Sequence, residues 1–366
     1  MQGFIKSEVE QKDIAYIHRK ASEEFEILSN NNLLLTGANG FLGYYFVRSI
    51  ISWNLINPKK KINLTALSTF RSGIPNWLKN IPKSANLTIL KKDIGKYSIN
   101  KNDRFDYIIH AASIASPTFY RLYPVETINS NVLGLYKLLD YLLGRKMMKK
   151  PVKGFLLFSS SEVYGNPDSK KIPIDEGYNG NVSFTGPRAC YDESKRFCET
   201  LCVNYSKVYD LPIKSARPFN NYGPGLKIDD GRVIPDFAKN ILENKDIVMY
   251  SEGNPTRTFC YVADAIVGYV KILTKGRQGE AYNIGTEKPE ISMTSLAKLM
   301  IQLGAKHFNY EGKIIEKESK DKNYLVDNPQ RRCPRIDKAK KELGYVPGIK
   351  LEEGLFKIMS WYKENV

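Results

Sequence analysis

The amino-acid sequence predicts an α/β protein, in which a doubly wound parallel sheet is followed by a smaller C-terminal substrate-binding domain. Two observations support this prediction. Short apolar runs of strand length alternate with longer segments of helical period, an order that is typical of parallel sheets. The first of these strands, predicted over residues 33–35, leads through a glycine-rich turn into a helix.

The turn after the first strand has a Gly-x-x-Gly-x-x-Gly spacing. Glycine is needed where the chain turns with positive φ, where the backbone approaches a pyrophosphate, and where a helix packs closely on a strand. The N-terminus of the following helix then faces the phosphates. Glycine-rich turns also occur in loops without a ligand, but this strand–turn–helix setting favours dinucleotide binding. The expected cofactor contacts are Gly37, Asn39, Gly40, Phe41, Leu42 and Gly43.

The second predicted strand, over 61–67, ends where dinucleotide-binding proteins usually carry an acid that holds the adenosine ribose. This chain has Ser68 at that position and Arg71 three residues later. A serine can still hydrogen-bond a ribose hydroxyl. Without a carboxylate the site repels a 2′-phosphate less, and Arg71 is a candidate phosphate partner. NAD is the favoured cofactor, and NADP remains the alternative.

Three further strands are predicted over 87–90, 107–110 and 154–158, with a helix over 127–143 before the last of them. In a doubly wound sheet, ligands lie beyond the carboxyl ends of the strands. The sequence therefore predicts a binding site formed by the residues that directly follow these strands.

The residues at those strand ends have different expected roles. Asp93 and Ile94 are expected to flank the adenine, and the small Ala111 allows the backbone to approach the cofactor. His110 ends its strand among apolar residues, and we predict a packed core histidine rather than a catalytic one.

Composition excludes several classes of protein. The 366 residues are 42% hydrophobic, enough for a full core, and no apolar run approaches the roughly 20 residues of a membrane span. The N-terminus carries acids rather than a signal-peptide pattern, so a soluble, cytoplasmic protein without a membrane partner is expected. The five cysteines form no CxxC pair, which indicates reduced thiols and neither a zinc site nor a disulfide framework.

The formal net charge of +16 would attract an anionic ligand. Lysine and arginine are scattered rather than gathered in one tract, so a basic background composition explains the charge better than nucleic-acid binding does. We therefore expect no nucleic-acid partner.

Tyr191 and Lys195 are separated by four residues, which places them on one face of a predicted helix. A free tyrosine has a pKa near ~10, too high for a base at neutral pH. A neighbouring ammonium and a positive nicotinamide ring both favour phenolate and would lower that pKa. Ser160, at the end of the preceding strand, would bond the same substrate hydroxyl. A lone Tyr-x-x-x-Lys pair is commonly a surface accident, but downstream of a dinucleotide turn it predicts an acid–base pair.

From residue 33 to 366 the chain resembles the extended short-chain dehydrogenases/reductases that modify nucleotide sugars, and within them it is most similar to UDP-glucuronate decarboxylases. The third of the matching segments is the most specific to that family. The segments are 113–117 (SIASP), 160–165 (SSEVYG), 186–196 (GPRACYDESKR), 230–233 (DGRV) and 256–259 (TRTF).

The resemblance implies roles for individual residues. Ser160, Tyr191 and Lys195 match the catalytic triad and Glu162 matches the active-site glutamate, while Tyr191, Lys195 and Pro218 are also implied in cofactor binding. An arginine such as Arg232, considered without its neighbours, more commonly forms a surface salt bridge. Only the matched motif around it favours a contact with the diphosphate. The implied substrate contacts are Ser113, Ser161, Asn220, Arg232, Tyr250 and Arg257, the last of them near the sugar and diphosphate.

The implied activity is that of a lyase that decarboxylates UDP-glucuronate to UDP-xylose through transient oxidation at carbon 4 by tightly bound NAD. The first alternative is a nucleotide-sugar 4,6-dehydratase, which needs a general acid. Dehydratases usually supply it from an Asp-Glu pair, whereas this chain has Ser161-Glu162. A 4-epimerase is the second alternative. A non-enzymatic cofactor-binding scaffold is the last, and it would commonly lose the tyrosine or the lysine.

Two positions depart from the family pattern. Ser68 replaces the ribose-binding acid, which leaves the choice of cofactor open. Arg335 stands where the family usually has aspartate, which leaves local contacts in the C-terminal part open.

The predicted division of the chain is an N-terminal helical extension over 1–31, a dinucleotide-binding Rossmann domain over 32–216, and a mainly substrate-binding part over 217–366. The last part is expected to return to the Rossmann core near 256–284. One or two surface helices are expected in the extension and an amphipathic helix over 351–363.

Three smaller expectations concern helix ends and assembly. Asp264 is predicted to cap a helix, and Asp337 and Gly344 to begin and close another. The family resemblance implies a homodimer in which the helices near 127–143 and 191–209 pair with their copies.

Overall fold

The computed structural model describes residues 4–100, 102–319 and 326–365. Its centre is a sheet of seven parallel strands in the order β11-β6-β5-β4-β1-β2-β3. This is the doubly wound sheet that the sequence predicts. The strands are β1 (Asn32–Thr36), β2 (Asn63–Ser68), β3 (Leu87–Lys91), β4 (Tyr107–His110), β5 (Gly154–Phe158), β6 (Ile213–Pro218), β7 (Asn221–Tyr222), β8 (Ile247–Met249), β9 (Thr256–Arg257), β10 (Cys260–Tyr261), β11 (Ala281–Ile284), β12 (Ile291–Ser292), β13 (Ile314–Glu316) and β14 (Arg331–Arg332).

The order of the strands in the sheet indicates where the binding crevice lies. Strands β2 and β3 lie on one side of β1, and β4, β5 and β6 lie on the other, so the chain reverses direction across the sheet between β1 and β4. Open α/β sheets bind ligands at the carboxyl ends of the strands at such a point. Every residue of β4 and β5 is buried, which explains their unbroken apolar character.

The helices flank the sheet, and in the C-terminal part they alternate with short strands. The predicted helix over 127–143 is longer, because α6, a π-helical turn over Asn129–Leu133 and α7 follow one another without a break. The helices are α1 (Glu8–Lys20), α2 (Ser22–Leu28), α3 (Phe41–Ile56), α4 (Asn76–Lys79), α5 (Pro117–Leu122), α6 (Pro124–Ile128), α7 (Gly134–Met147), α8 (Ala189–Tyr209), α9 (Val233–Leu242), α10 (Val262–Lys275), α11 (Met293–Phe308), α12 (Asp337–Leu343) and α13 (Leu351–Asn365), with 3₁₀ turns at Lys83–Ala85, Ser161–Tyr164 and Ser169–Lys171.

The short strands after β6 form three small pairings outside the main sheet. Strand β7 pairs with β10, β8 pairs with β13, and β9 lies between β12 and β14. Pairing of β9 with β14 brings Arg257 beside Arg332, so two distant parts of the chain meet at this point.

The N-terminal extension forms the two predicted helices, but one face of them is part of the core. Ile14, Ile17 and Phe25 are buried. Asp13 is fully buried as well, and its carboxylate accepts hydrogen bonds from the hydroxyls of Tyr45 (2.8 Å) and Tyr261 (2.6 Å). Helix α1 is therefore joined to α3 and to the strand that precedes α10.

Two predicted helix caps differ from the structure. Asp264 lies inside the first turn of α10 rather than at its N-cap, and its carboxylate accepts the backbone N–H groups of Gly348 and Ile349, both at 2.9 Å. Asp337 is the first residue of α12 rather than its cap, whereas Gly344 closes that helix with φ +63° as predicted.

None of the described helices is both long enough and apolar enough to cross a membrane. All five cysteines are unpaired. Within residues 4–100, 102–319 and 326–365, no group of histidine, cysteine and carboxylate side chains is arranged to hold a metal ion.

Candidate active site

The glycine turn has the close contacts that a dinucleotide-binding turn needs. Gly37 has φ +76°, and a Cβ at this position would lie 2.6 Å from the carbonyl oxygen of Ala111. A Cβ on Gly43 would lie 2.3 Å from the carbonyl oxygen of Gly37. Helix α3 begins at Gly40 without a side-chain cap, so the N-terminus of the helix can face an anion. These residues fit the pyrophosphate of a dinucleotide.

The other predicted cofactor residues lie along one edge of the sheet. Because the strands are parallel, their carboxyl ends meet at the same edge. The Asp93 carboxylate accepts a hydrogen bond from the backbone N–H of Gly95 (2.9 Å), which fixes the turn after β3. The side chain of Arg71, the candidate phosphate partner, is exposed. Asn39, Phe41 and Leu42 belong to the turn after β1 and the start of α3, Ser68 ends β2, Asp93 and Ile94 follow β3, Ala111 follows β4, and Pro218 ends β6.

His110 is a packed core histidine, as predicted. It is 2% exposed, and its Nδ1 lies 2.8 Å from the Thr36 hydroxyl. Burial and, to a smaller extent, the nearby Lys195 ammonium lower the pKa of His110 to about 3. The ring is therefore neutral, and it links the ends of β1 and β4.

The predicted acid–base pair lies in the first two turns of α8. Tyr191 and Lys195 are both buried, and the Lys195 Nζ lies 5.6 Å from the centroid of the Tyr191 ring. That ammonium donates a hydrogen bond to the carbonyl oxygen of Phe158 (2.8 Å). Ser160 lies just after the end of β5, and its hydroxyl hydrogen-bonds the Tyr191 phenol. The structure thus brings the three predicted residues together.

The pKa of Tyr191 in the protein alone lies above that of a free tyrosine. Burial raises it, the bond from Ser160 lowers it in part, and the net value is about 12. Lys195 is not among the main causes of this shift, and its ammonium donates to the Phe158 carbonyl. Burial also lowers the pKa of Lys195 to about 8. In the protein alone the phenol is therefore protonated at neutral pH, and any lowering has to come from a bound cation.

Glu162 lies between two arginines that the sequence did not single out. Its Oε2 accepts hydrogen bonds from the Nη2 atoms of Arg188 (2.5 Å) and Arg332 (2.6 Å). Burial alone would raise the pKa of Glu162, but Arg188, Arg332 and the nearby Arg257 outweigh burial and lower it to about 2. Glu162 is therefore a fixed carboxylate at neutral pH.

Arg188 lies in the segment 186–196 that carries the family resemblance, so the sequence contained a local indication that it belongs to the site. Arg332 had none, since it is 170 residues from Glu162 in sequence. A cavity of about 400 Å³ opens beside this cluster and is lined in part by Arg188, Asp192 and Asn328.

Arg257 is a buried cation surrounded by neutral acceptors. It donates hydrogen bonds to the carbonyl oxygens of Thr256 (2.7 Å), Pro329 (2.6 Å) and Gln330 (3.2 Å), and to the side chain of Asn328 (3.2 Å). Among the described residues, no carboxylate forms a salt bridge with it. Burial and the charge of Arg332 lower the pKa of Arg257 to about 9. An anionic ligand would supply the missing counter-charge.

The remaining predicted substrate contacts have different surroundings. Arg232 forms a salt bridge with Asp230 at 2.6 Å, which is the more common role of an arginine and the alternative to a substrate contact. Its charge also lowers the pKa of Tyr191, so the guanidinium lies near the phenol. Asn220 donates a hydrogen bond to the Thr258 carbonyl (2.8 Å). Tyr250 follows β8 and is 45% exposed.

Two predicted contacts are serines near the strand ends. The Ser113 hydroxyl is buried and has no hydrogen-bond partner in the described part of the chain, while Ser161 is buried next to Ser160. Arg335, where the family pattern is broken, pairs with Asp175 (3.8 Å) at the surface.

Comparison with known proteins gives a consistent result. A family model for the NAD dependent epimerase/dehydratase family matches residues 33–285. UDP-glucuronic acid decarboxylase 6 of Arabidopsis thaliana is 35% identical over 327 residues, covering 89% of this chain and 87% of the plant protein. UDP-glucuronic acid decarboxylase 1 of Xenopus tropicalis is 32% identical, covering 91% of this chain and 72% of the frog protein.

Solved structures share the fold. An epimerase from Methanothermobacter thermautotrophicus has a TM-score of 0.77 and 26% identity, covering 95% of this chain and 96% of that one. The dTDP-glucose 4,6-dehydratase of Streptomyces venezuelae, crystallised with NAD, has a TM-score of 0.75 and 23% identity, covering 91% of this chain and 97% of that one. At that identity the second likeness concerns the fold alone.

Proposed function

The chain belongs to the NAD dependent epimerase/dehydratase family, and on that premise we propose that it decarboxylates a nucleotide-linked uronic acid. The proposed substrate is UDP-glucuronate, the product is UDP-xylose, and the cofactor is tightly bound NAD. The names of the curated relatives support this assignment. The proposal includes the division into a cofactor-binding part over 32–216 and a mainly substrate-binding part over 217–366.

The observation that carries the proposal is the state of Glu162. A dehydratase needs a general acid to expel a hydroxyl from carbon 6 of the sugar. Glu162 cannot supply that proton, because Arg188 and Arg332 hold it as a carboxylate with a pKa of about 2. Ser161 stands where dehydratases usually carry the aspartate. A decarboxylase needs no such acid at carbon 6.

The cationic surplus of the site also supports an acidic substrate. Arg188, Arg257 and Arg332 lie near Glu162, and Arg257 forms no salt bridge with a carboxylate of the described chain. A uronate carboxylate and a diphosphate are anions whose planar or branched oxygens match guanidinium groups. A 4-epimerase acting on a neutral sugar would not need this surplus.

When bound, NAD would supply reversible hydride transfer at carbon 4 of the sugar. Tyr191 takes the proton of the 4-hydroxyl, and Ser160 holds that hydroxyl beside the phenol. A ketone at carbon 4 lies β to the carboxylate on carbon 5, so the bond between carbon 5 and the carboxylate can break. Carbon dioxide leaves, the electron pair of the broken bond enters the ketone as an enolate, and carbon 5 is then protonated. Return of the hydride to carbon 4 would then reduce the ketone, and Tyr191 gives its proton back to the oxygen on carbon 4, which completes the pentose.

The other residues bind and orient. Glu162 fixes the guanidinium groups of Arg188 and Arg332 rather than transferring a proton, while Arg257 and Arg232 bind the diphosphate. Ser113, Ser161, Asn220 and Tyr250 are proposed substrate contacts. Lys195 binds the cofactor ribose.

The test is to incubate the purified protein with UDP-glucuronate and follow the nucleotide product by mass. We expect loss of carbon dioxide from the substrate. Loss of water would identify a dehydratase and no change in mass an epimerase, and either would overturn the proposal. Tyr191→Phe is the matched control, and its rate is expected to be at least about a hundredfold lower, since acid–base groups contribute ~10²–10⁴-fold.

We also propose a cytoplasmic homodimer. The five unpaired cysteines suit a reducing compartment. For the dimer, support comes from large apolar side chains that α7 and α8 leave exposed, namely Tyr136, Phe197, Val208 and Tyr209.

A further inference from the structure

Tyr120 lies on the short helix α5 and packs face to face with Tyr191. The two ring centroids are 5.0 Å apart and the planes differ by 11°. Tyr120 is 1% exposed, and the Arg188 guanidinium lies 5.7 Å from the centroid of its ring. The ring therefore contacts two side chains at the start of α8, the acid–base tyrosine and the arginine that holds Glu162.

Hydrogen bonds fix α5 in this position. The Tyr120 carbonyl accepts the thiol of Cys190 (3.4 Å), the neighbour of Tyr191 in sequence. The Ser116 hydroxyl donates to the carbonyl of Asp230 (2.8 Å), in the segment that carries Arg232. Helix α5 is thus tied both to α8 and to the proposed diphosphate-binding loop, and its stacked ring can restrict the orientation of Tyr191.

The hydroxyl of Tyr120 is buried and has no hydrogen-bond partner among the described residues. A buried polar group without a partner is costly and is normally satisfied by another group or a ligand. Burial raises the pKa of Tyr120, so the hydroxyl keeps its proton at neutral pH and can donate it. Arg188, Glu162, Asp192 and Tyr191 are charged or titratable groups near it, so the hydroxyl lies close to the proposed acid–base residue and to the Glu162 cluster.

We propose that Tyr120 positions Tyr191 through the stacked ring and that its hydroxyl donates a hydrogen bond to an oxygen of the sugar. This inference rests on the proposed function, because it assigns Tyr191 as the group that takes the sugar proton. The ring and the hydroxyl have separable effects. The ring acts on the orientation and hydration of the phenol, whereas the hydroxyl acts on substrate binding.

Two variants separate these effects in steady-state kinetics measured from pH 6 to 10. Tyr120→Phe keeps the ring, so kcat and its pH dependence are expected to stay at the wild-type level while KM rises about 3–10-fold, the range for one lost hydrogen bond. Tyr120→Leu removes the ring and is expected to lower kcat about 10–100-fold, since a small misplacement of a reacting group is costly. Water then reaches Tyr191, so the limb of the pH profile that reports its ionisation moves to lower pH.

Affinity for NAD is measured in parallel and is expected to be unchanged in both variants. Phe119→Leu is the control, since it removes an exposed ring from the same helix and is expected to leave all parameters unchanged. If Tyr120→Leu does not fold, Tyr120→Met carries the same test.

The outcomes distinguish the two levels of the proposal. A Tyr120→Leu enzyme with kcat within about threefold of wild type and an unshifted pH limb would overturn the positioning role. An unchanged KM in Tyr120→Phe would overturn the contact with the sugar. If the wild-type protein releases no carbon dioxide, the proposed function fails, and the role of Tyr120 in that reaction fails with it.

Discussion

Asp192 and Glu162 are buried carboxyl groups that share one cation, Arg188, whose guanidinium lies 2.5 Å from Glu162 and 3.6 Å from Asp192. Their pKa values move in opposite directions. Burial and the charge of Glu162 raise the pKa of Asp192, while the arginines lower that of Glu162. The cluster therefore holds one fixed carboxylate and one carboxyl group that keeps its proton at neutral pH.

The raised pKa of Asp192 predicts how stability depends on pH. An unfolded aspartate ionises near pH ~3.9, whereas folded Asp192 ionises near a pKa of about 8. Between these values the folded state binds the extra proton, so the free energy of unfolding falls as the pH rises. Asp192→Asn cannot titrate, and its stability relative to wild type is expected to increase from pH 5 to pH 8. Urea unfolding at both pH values measures this; a constant difference would contradict it.

Ser68 gives a prediction about the cofactor. Its hydroxyl offers one neutral hydrogen bond to the ribose, whereas a carboxylate offers up to two charge-assisted bonds. Ser68→Asp is therefore expected to tighten NAD binding about tenfold, since charge-assisted bonds contribute ~1.5–3 kcal/mol each. The same change should weaken NADP binding by placing a negative charge beside the 2′-phosphate. Titration of both cofactors into both proteins is the measurement. Tighter binding of NADP than NAD by the wild type would show that Arg71 sets the preference.

At the residue level, sequence predicted the groups that one short segment brings together. Tyr191 and Lys195 lie one helical turn apart and Ser160 follows a strand, so a local pattern was enough for them, whereas Glu162 was named from the family resemblance. Arg332 and Tyr120 reach the same site through tertiary packing, and no periodicity indicates which distant segments will meet. The raised pKa of Tyr191 in the protein alone could not be read from the sequence for a similar reason, since it depends on burial and on the Phe158 carbonyl that the Lys195 ammonium contacts.

Among the elements, α7 and α8 carry the prediction about assembly. Phe197 is 46% exposed on α8, and a charge at this position would have to be buried if α8 pairs with its copy. Phe197→Glu is therefore expected to give a monomer by light scattering at micromolar concentration, whereas the wild type is expected to give the proposed dimer. Val346→Glu replaces an exposed apolar residue outside these helices and should leave the mass unchanged. A monomeric wild type would overturn the proposed dimer.

The elements themselves were predicted with unequal success, for physical reasons. Strands β4 and β5 are buried throughout and read as unbroken apolar runs, so their bounds were predicted correctly. The strands of the three small sheets have two or three residues each, which is too short to show a periodicity. The π-helical turn within 129–133 has no sequence signature either, and the helix around it was predicted too short.

At the scale of the whole molecule, Asp13 joins the N-terminal helix to distant parts of the chain. Besides the hydroxyls of Tyr45 and Tyr261, its carboxylate pairs with the Lys357 ammonium on α13 (3.3 Å). Asp13→Ala would leave these donors buried without an acceptor. We expect it to lower the free energy of unfolding by about 3–5 kcal/mol, the usual cost of breaking a buried ion pair.

Urea unfolding measures this loss. Glu8→Ala on the same helix is the matched control, because Glu8 pairs with Lys12 (2.6 Å) at the surface, and such pairs contribute little. Equal effects of the two substitutions would show that the buried network does not hold the extension in place.

The same connection sets an order of events during synthesis. Asp13 leaves the ribosome 344 residues before Lys357, an interval of roughly 17–70 s at ~5–20 residues per second. Until residue 275 has been made, α1 can pack on α3 but has neither α10 nor α13 beside it. The nascent chain therefore carries an exposed apolar helix face for most of its translation, and this is the interval in which a chaperone would be needed most.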